Sequence, residues 1–144
     1  MIIGIGNDIV DIGRIEKVIN RFGDRFIDRV FTLEEKSRAE TSLNSSAVLA
    51  KRFAAKEAVW KALGDGQRPG LKWRDLVVIN QKSGKPVMDL RGAAAIHLSK
   101  LIPNGMVARI DLTISDEPPW AQAHVIISAE PKEWNDLRIS KDFN

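Results

Sequence analysis

The first ten residues form an apolar and small-residue run that predicts a buried β-strand. The run is rich in isoleucine and valine, which are typical of strands. Glycine weakens an ordinary strand, so we expect Gly4 and Gly6 to lie where a ligand or a neighbouring subunit approaches the backbone closely. Asp8 interrupts the same run, and a carboxylate in this setting needs a partner. Alternatively, Asp8 ends the strand and caps the helix that follows, because Asp is a favoured N-cap residue.

The patterns along the rest of the chain predict one α+β domain without internal repeats. Runs rich in β-branched residues occur in two later pairs, and each pair is joined by a turn that contains Gly or Pro. We therefore expect an antiparallel sheet of about five strands, packed against a long central helix and shorter helices. The later strands are predicted at residues 76–80, 86–90, 107–115 and 121–129. The shorter helices are predicted after Asp11, at the Thr32–Glu35 capping box and over residues 91–101.

The long central helix is predicted over residues 47–63, where a glutamate and a lysine share a face with small side chains. At a period of 3.6 residues, Glu57 and Lys61 lie on the face that also carries two alanines and a phenylalanine. The alanines leave room for another backbone or a ligand beside Glu57. A glutamate followed four residues later by a lysine is also a common exposed helix pair, so this face alone does not establish chemistry. The signals that bound the helix are Ser45 or Ser46 as N-cap and Gly64 as C-terminal stop.

Composition is that of one ordinary globular domain. The chain has 144 residues, of which 44% are hydrophobic, and this is enough for a real core. It has neither a long apolar run nor a signal segment, so we expect no membrane span and no export. The absence of cysteine excludes disulfides, zinc thiolate sites and thiol catalysis. We expect a soluble, cytoplasmic protein.

The strand and the long helix together predict a site for a metal ion and a phosphate group. Asp8 at a strand end and Glu57 on a facing helix can supply hard oxygen ligands to Mg²⁺. This ion usually takes one or two protein carboxylates and completes its shell with water and substrate phosphate oxygens. Lys61 lies one turn beyond Glu57, where its charge can neutralise a diphosphate. The chemical hypothesis is a metal-assisted transfer of a phosphoryl group.

A moderate positive charge is concentrated on the helix after Asp11. The net charge of +3 fits nucleic acid, an anionic small molecule or an acidic protein as partner. Arg14 and Arg21 are seven residues apart and share a helix face, and Arg25 extends this basic face if Gly23 does not break the helix. Arginines on one helix are also commonly just a solvated face.

Two sequence motifs carry a family resemblance. The first is Gly6-x-Asp8 followed by Arg14. The second is Phe53-Ala54-x-Lys56-Glu57-Ala58-x-x-Lys61-Ala62-Leu63-Gly64, and a Ser83-Gly84-Lys85-Pro86 turn follows later. In this order and at this spacing, the motifs resemble holo-[acyl-carrier-protein] synthase, the short, single-module type of 4′-phosphopantetheinyl transferase. The resemblance covers residues 1–129. It implies the 4′-phosphopantetheinyl transferase fold for residues 1–130 and leaves residues 131–144 as a polar C-terminal extension without an assigned role.

The resemblance implies a reaction for the metal-and-phosphate site. Mg²⁺ held by Asp8 and Glu57 bridges the diphosphate of coenzyme A, and Lys61 offsets charge on its oxygens. The serine hydroxyl of apo acyl carrier protein attacks the phosphorus that carries the pantetheine arm, and adenosine 3′,5′-bisphosphate leaves. The catalytic residues are then Glu57 and Lys61. The base that takes the hydroxyl proton is either Glu57 or a metal-bound water.

The resemblance also implies further contacts with coenzyme A. Lys85 and Pro86 in the predicted hairpin turn become candidates for the 3′-phosphate and the adenine, although hairpin turns also collect Gly and Lys for purely structural reasons. The implied coenzyme-binding residues are Arg52, Gly64, Gly84, Lys85, Pro86 and Ser115.

Acyl carrier protein is the implied protein partner, and a homotrimer with active sites between subunits is the implied assembly. The basic helix face would dock the acidic recognition helix of the carrier through Arg14, Arg21 and Arg25. Charge steering of this kind makes association fast and sensitive to salt. Arg14 or Ser115 would then serve the site of a neighbouring subunit.

One position departs from the family pattern. Relatives often carry a histidine beside the coenzyme site where this chain has Asp116, so we expect no histidine-based role there. Asp116 would repel a coenzyme phosphate unless it points away or joins the metal shell. His97 and His124 are predicted to be packing histidines that do not replace the missing one.

Two other classes of protein explain the sequence less well. An actin-like or sugar-kinase-like ATPase also opens with a strand that places an Asp near Mg²⁺, but it needs two large domains. A basic nucleic-acid-binding module without catalysis could use the arginines against phosphates. That module leaves Asp8 and Glu57 unexplained, and the chain has no tyrosine to stack on bases. We therefore expect neither nucleic acid nor a membrane as partner.

Overall fold

The computed structural model describes residues 1–64 and 69–134. Five strands and five α-helices are present in these residues, and the strands lie at the beginning and in the second half of the chain. In chain order the elements are β1 (Ile2–Asp11), α1 (Ile12–Phe22), α2 (Asp24–Val30), α3 (Leu33–Glu40), α4 (Ser45–Ala62), a 3₁₀ turn (Trp73–Asp75), β2 (Leu76–Asn80), β3 (Pro86–Leu90), α5 (Gly92–Leu101), β4 (Met106–Glu117) and β5 (Trp120–Pro131). None of the helices in residues 1–64 and 69–134 has the length and apolarity of a membrane span.

The strands form two antiparallel sheets. One has the order β1-β5-β4, and the other is the β2–β3 hairpin. The α+β class, the five strands and the long central helix are confirmed, with the strands divided between two sheets instead of sharing one. β4 and β5 are joined by two prolines, since Glu117 already pairs with Trp120. β1 is therefore an edge strand of the larger sheet.

Helix α4 packs directly against one face of the three-stranded sheet, and two glycines of β1 make this possible. A Cβ atom on Gly4 would lie 1.9 Å from the carbonyl oxygen of Ala62, and one on Gly6 would lie 1.8 Å from that of Ala58. The close backbone approach predicted for these glycines is confirmed. The predicted occupant is wrong, because the chain's own helix α4 and not a ligand or a second subunit lies against them.

The helix caps decide where the elements begin and end. Asp11 caps α1 by accepting the backbone N–H of Arg14 at 3.2 Å, so Asp8 lies inside β1 and does not cap a helix. Asn44 caps α4, and its Oδ1 accepts the N–H of Ala47 at 3.0 Å. The prediction that Ser45 or Ser46 is this cap is wrong, because an asparagine oxygen one residue earlier satisfies the helix start. Gly64 follows α4 with φ +83°, as expected of a helix stop.

A buried ion pair fixes α4 to the smaller elements around it. Lys56 and Glu35 are both fully buried, and the ammonium donates to the Glu35 Oε2 at 2.8 Å. The same ammonium donates to the carbonyl oxygens of Val30 at 2.7 Å and Trp73 at 3.1 Å. The second carboxylate oxygen of Glu35 accepts the N–H of Val78 in β2 at 3.0 Å. This cluster joins α2, α3, α4, the 3₁₀ turn and the hairpin.

Candidate active site

Asp8 and Lys61 form the first pair of the site, where edge strand β1 lies beside the C-terminal half of α4. The Lys61 ammonium donates to Asp8 Oδ1 at 2.9 Å and to the carbonyl oxygen of Asn7 at 2.9 Å. The Asp8 side chain is 16% exposed and that of Lys61 is 53% exposed. The carboxylate predicted to need a partner therefore has one, and the lysine amine stays in contact with solvent.

Glu57 lies one turn before Lys61 and faces the same region. Burial raises the pKa of the Glu57 carboxyl above its ordinary value, the negative charge of Asp8 raises it further, and the Lys61 ammonium opposes both effects. A carboxylate that raises the pKa of another in this way lies close enough to repel it. The structure thus brings together Asp8, Glu57 and Lys61, the three residues predicted for the metal-and-phosphate site.

The donor set of this site fits Mg²⁺. Asp8 and Glu57 offer only hard carboxylate oxygens, and one or two protein carboxylates are what this ion usually takes. Within residues 1–64 and 69–134, no group of three or more His, Cys, Asp or Glu side chains forms a self-sufficient metal site. The mutual repulsion of the two carboxylates is the kind of excess negative charge that a bound cation relieves.

Arg52 does not lie with these residues. It is only 4% exposed, and one terminal nitrogen donates to Asn80 Oδ1 at 2.7 Å. Arg52 and Glu57 are five residues apart on α4, which separates their directions by about 140° around the helix axis. Burial is the main influence that lowers the pKa of the Arg52 guanidinium. The guanidinium predicted to bind a coenzyme phosphate is thus inside the chain, behind the β2–β3 hairpin.

The hairpin turn presents the other predicted coenzyme-binding residues at the surface. Gly84 has φ +87°, which confirms that glycine occupies the sharp position of this turn. The N–H of Gln81 donates to the carbonyl oxygen of Lys85 at 2.9 Å and closes the turn. Lys85 is exposed, and Pro86 begins β3. Charge and accessibility at this turn are therefore compatible with an anionic ligand.

Ser115 and Asp116 lie near the end of β4, on opposite faces of the sheet. Ser115 is exposed. The residue before it in β4 pairs with the buried Ala123 and therefore faces α4, so Ser115 points to the opposite side of the sheet. Asp116 lies on the α4 side and forms an ion pair with Lys51 at 2.5 Å. Asp116 is thus bound to a lysine of α4. The single chain places Ser115 on the sheet face opposite to the one on which Asp8 lies.

The two histidines have different environments. His97 is partly buried, with Nε2 at 3.2 Å from the carbonyl oxygen of Leu63, which agrees with a packing role. His124 is exposed on the sheet face away from α4 and contacts Gln122 through its ring. The prediction that His124 is a packing histidine is wrong for the isolated chain, because His124 is exposed and no element within residues 1–64 and 69–134 covers the outer face of the sheet.

The predicted basic surface is divided between two helices. Gly23, with φ +54°, ends α1, so Arg25 lies on α2 and does not extend the face that carries Arg14 and Arg21. All three arginines are exposed. A groove of about 530 Å³ lies between the two helices. Its lining consists of Val18, Phe22, Arg25, Phe26 and Arg29.

The roles of several residues that shape this region are difficult to predict from their neighbours in the sequence. Lys56 lies inside the second motif, but its role depends on Glu35, which is 21 positions away. A lysine on the apolar side of a helix is the one signal that points to a buried partner. Asn80 and Lys51 give no comparable signal, because polar residues at a strand end and on a helix are ordinary.

Comparison with known proteins gives a consistent result. A sequence profile of the 4′-phosphopantetheinyl transferase superfamily matches residues 4–115. The holo-[acyl-carrier-protein] synthase of Parvibaculum lavamentivorans is 54% identical over 132 residues, which are 92% of this chain and 99% of the relative.

Solved structures agree with the sequence comparison. The crystal structure of holo-[acyl-carrier-protein] synthase from Neisseria meningitidis superposes with a TM-score of 0.77 at 36% identity, covering 89% of this chain and 99% of that one. The synthase from Bacillus anthracis, in complex with CoA (3′,5′-ADP), gives 0.70 at 31% identity, covering 90% and 99%. The chain therefore belongs to the holo-[acyl-carrier-protein] synthases of the 4′-phosphopantetheinyl transferase superfamily.

Proposed function

We propose that this protein transfers the 4′-phosphopantetheine arm of coenzyme A to a serine of apo acyl carrier protein. The grouping of Asp8, Glu57 and Lys61 is the observation that supports this reaction best. The serine oxygen forms a bond to the phosphorus that carries the pantetheine arm, and the bond from that phosphorus to adenosine 3′,5′-bisphosphate breaks. The serine gives up its hydroxyl proton in the same reaction. The names of the relatives, and a relative's complex with CoA, support both substrates.

Asp8 and Glu57 are the residues that would hold Mg²⁺. When bound there, the ion supplies positive charge to the diphosphate of coenzyme A. Lys61 supplies a further charge, because its ammonium lies beside Asp8 and is 53% exposed. We propose that this ammonium stabilises the oxygens of the departing bisphosphate, which become more negative as the P–O bond breaks. Catalysis in this site is thus mainly electrostatic.

We propose that Glu57 accepts the hydroxyl proton of the serine. Its raised pKa makes it a better proton acceptor than an exposed glutamate. Metal binding and proton acceptance both need the ionised carboxylate. The transfer rate is therefore expected to fall at acidic pH, where the Glu57 carboxylate becomes protonated.

The remaining coenzyme contacts are proposed at three places. Lys85 and Pro86 meet the 3′-phosphate and the adenine at the exposed hairpin turn, where Gly84 allows close approach. Gly64 lies directly after α4, one turn beyond the Lys61 side of the site. Ser115 serves the site of a neighbouring subunit, since it lies on the outer face of the sheet.

A homotrimer with active sites between subunits is part of the proposal. Its support is the sheet face opposite α4, where three isoleucines are exposed. Ile5 is 65% exposed, Ile9 60% and Ile126 41%, and Ile5 pairs with Ile126 across the strands. A contiguous apolar face of this kind is typical of a subunit interface. Packing of copies at this face would bring Ser115 to a neighbouring chain.

The carrier protein is proposed to dock at the groove between α1 and α2. Arg14, Arg21 and Arg25 are exposed around this region and carry positive charge toward an acidic helix. Phe22 and Phe26 give the groove an apolar floor, which suits the apolar side of an amphipathic helix. Such a surface predicts carrier binding that weakens with salt. A cytoplasmic location stays a prediction from the sequence.

Intact-mass spectrometry of the carrier protein tests the proposed reaction. The protein is incubated with coenzyme A, Mg²⁺ and apo acyl carrier protein, and a mass increase of one phosphopantetheine arm is expected. EDTA should abolish the increase, and a carrier whose acceptor serine is alanine should show none. No increase with any of Mg²⁺, Mn²⁺ or Ca²⁺ would contradict the enzymatic reaction.

A further inference from the structure

The β2–β3 hairpin depends on side chains for its orientation. It shares no backbone ladder with the three-stranded sheet, since the two sheets are separate. Its first strand is held against α3 and α4 by polar contacts, of which the N–H of Val78 on Glu35 is one. Side-chain contacts from α4 also reach the turn at its tip.

Arg52 and Asn80 form such a contact. A terminal nitrogen of Arg52 donates to Asn80 Oδ1 at 2.7 Å, and the other reaches the carbonyl oxygen of Val48 at 3.4 Å. Asn80 in turn donates its Nδ2 to the carbonyl oxygen of Gly84 at 3.0 Å. The Asn80 side chain thus accepts a hydrogen bond from the buried Arg52 guanidinium and donates one to the turn. The side-chain oxygen and nitrogen of Asn80 therefore link α4 to Gly84, the residue that precedes Lys85.

The burial of Arg52 argues against a direct contact with a phosphate. The residue is 4% exposed, and its Nε is buried without a hydrogen-bond partner. With so little of the residue exposed, a phosphate has little access to the guanidinium in this arrangement. Direct contact would also compete with the charge-assisted hydrogen bond of 2.7 Å to Asn80.

We propose that Asn80 and Arg52 are positioning residues for coenzyme binding. Arg52 fixes the Asn80 amide, and the amide fixes the Gly84 carbonyl and with it the backbone of Lys85. Arg52 thereby acts on coenzyme A through Lys85 and does not itself contact the phosphate. This inference rests on the proposed function in one respect, namely that Lys85 binds coenzyme A.

Substitutions at Asn80 separate this role from direct phosphate binding. Asn80→Ala frees Arg52 and releases Gly84, while Asn80→Asp keeps an acceptor for Arg52 but loses the donor to Gly84. If Arg52 acts through the turn, both variants should raise the KM for coenzyme A by about five- to tenfold, the effect of one lost hydrogen bond. The kcat should change less than twofold, because Glu57 points to another side of α4. If Arg52 binds the phosphate directly, Asn80→Ala should leave KM unchanged or lower it, and this result would overturn the proposal.

A double-mutant cycle identifies the residue through which Asn80 acts. In a Lys85→Ala background, Asn80→Ala should have little further effect on KM, since the positioned group is already absent. Full additivity of the two substitutions would overturn the proposal. Asn104→Ala, in the loop after α5, is the matched control and should leave both kinetic constants unchanged.

Hydrogen exchange gives a readout that does not need turnover. The N–H of Gln81 and the N–H of Gly84 close the turn and should exchange several-fold faster in Asn80→Asp than in the unchanged protein, while the amides of β5 exchange as before. Unchanged exchange at the turn would overturn the proposal. Faster exchange together with no transfer by the unchanged protein would contradict the proposed function and not the Asn80 contact.

Discussion

Glu57 occupies a position that disfavours its ionised form. Burial and the charge of Asp8 both raise its pKa, and only Lys61 acts in the opposite direction. A carboxyl whose pKa is raised on folding contributes most to stability below its unfolded pKa, and this contribution is lost as the pH rises through the folded value. At neutral pH the ionised Glu57 therefore opposes folding. A carboxyl group whose ionised form is disfavoured in this way is typical of a functional site, here one that can receive a cation.

Replacing this carboxyl should stabilise the metal-free protein. Glu57→Gln removes the charge and keeps the shape, so its urea midpoint at pH 7.5 should exceed that of the unchanged protein. The difference should shrink as the pH falls and disappear below about pH 3.5, where Glu57 is protonated in both states. Urea unfolding followed by circular dichroism across this pH range measures it.

Glu34→Gln is the control for this prediction. Hydrogen bonds from Arg91 are the main influence that lowers the pKa of Glu34, so the sign of its contribution is opposite. That contribution is present above the unfolded pKa and lost as the pH falls. Glu34→Gln should therefore leave stability unchanged or slightly lower at pH 7.5. A loss of stability in Glu57→Gln as well would contradict the repulsion between Asp8 and Glu57.

At the scale of elements, the contact between β1 and α4 determines whether the site forms. Asp8 reaches Lys61 only because β1 lies backbone to backbone against the helix at Gly4 and Gly6. A methyl group at Gly6 would lie 1.8 Å from the carbonyl oxygen of Ala58. Because both partners are backbone, no side-chain rotation relieves this overlap.

Gly6→Ala should therefore destabilise the protein by roughly 3 kcal/mol or more. Gly13→Ala is the matched control, since its new methyl group meets only a side-chain oxygen of Asp11 at 3.2 Å. The control should change the free energy of unfolding by about 1 kcal/mol or less, because it lies in a helix. Equal effects of the two substitutions in urea unfolding would contradict the described packing of β1.

The buried ion pair of Lys56 and Glu35 fixes the rotational orientation of α4 about its helix axis. Lys56→Met removes the cation and leaves the Glu35 carboxylate buried without it, which should cost about 3–5 kcal/mol. Lys36→Met is the matched control, because Lys36 forms an ion pair of similar length, 2.7 Å, with the exposed Asp28. That loss should stay below about 1 kcal/mol. Similar losses in thermal or urea unfolding would show that burial does not distinguish the two pairs.

At the scale of the whole molecule, strong local signals made much of the fold predictable. Gly64 and Gly84 have positive φ values at a helix stop and a turn, as their neighbours in sequence indicate. Asp8, Glu57 and Lys61 were predictable because charged residues in small or apolar surroundings need a reason. The pattern of β-branched residues predicts the strands without any knowledge of their partners.

Predictions failed where the deciding contact comes from a distant part of the chain. Gly6 indicates a close approach but cannot show that Ala58 is the approaching residue. For Arg52, the sequence likewise cannot show that Asn80, 28 residues later, accepts a hydrogen bond from its guanidinium. His124 suggests packing from its strand pattern, yet it lies on the uncovered face of the sheet. The missing information in each case is which elements pack together.

Assembly belongs to the same scale, and its test is a charge on the uncovered sheet face. Ile5→Asp should dissociate the proposed trimer, because it places a carboxylate in an apolar interface. Sedimentation equilibrium should show a trimer for the unchanged protein and a smaller species for Ile5→Asp. Ile96→Asp on α5, at a residue that is 60% exposed, is the control and should remain trimeric. A monomeric unchanged protein would contradict the proposed assembly.

The most direct measurement is the single-turnover rate of phosphopantetheine transfer in variants of the two carboxylates. With saturating coenzyme A and Mg²⁺, the mass of the carrier protein is followed over time for the unchanged protein, Asp8→Asn, Glu57→Gln and the control Glu34→Gln. We predict that each substitution at Asp8 or Glu57 slows transfer at least about 100-fold, while Glu34→Gln transfers at the original rate. Rates for Asp8→Asn and Glu57→Gln within about threefold of the unchanged protein would contradict the assignment of this site to catalysis.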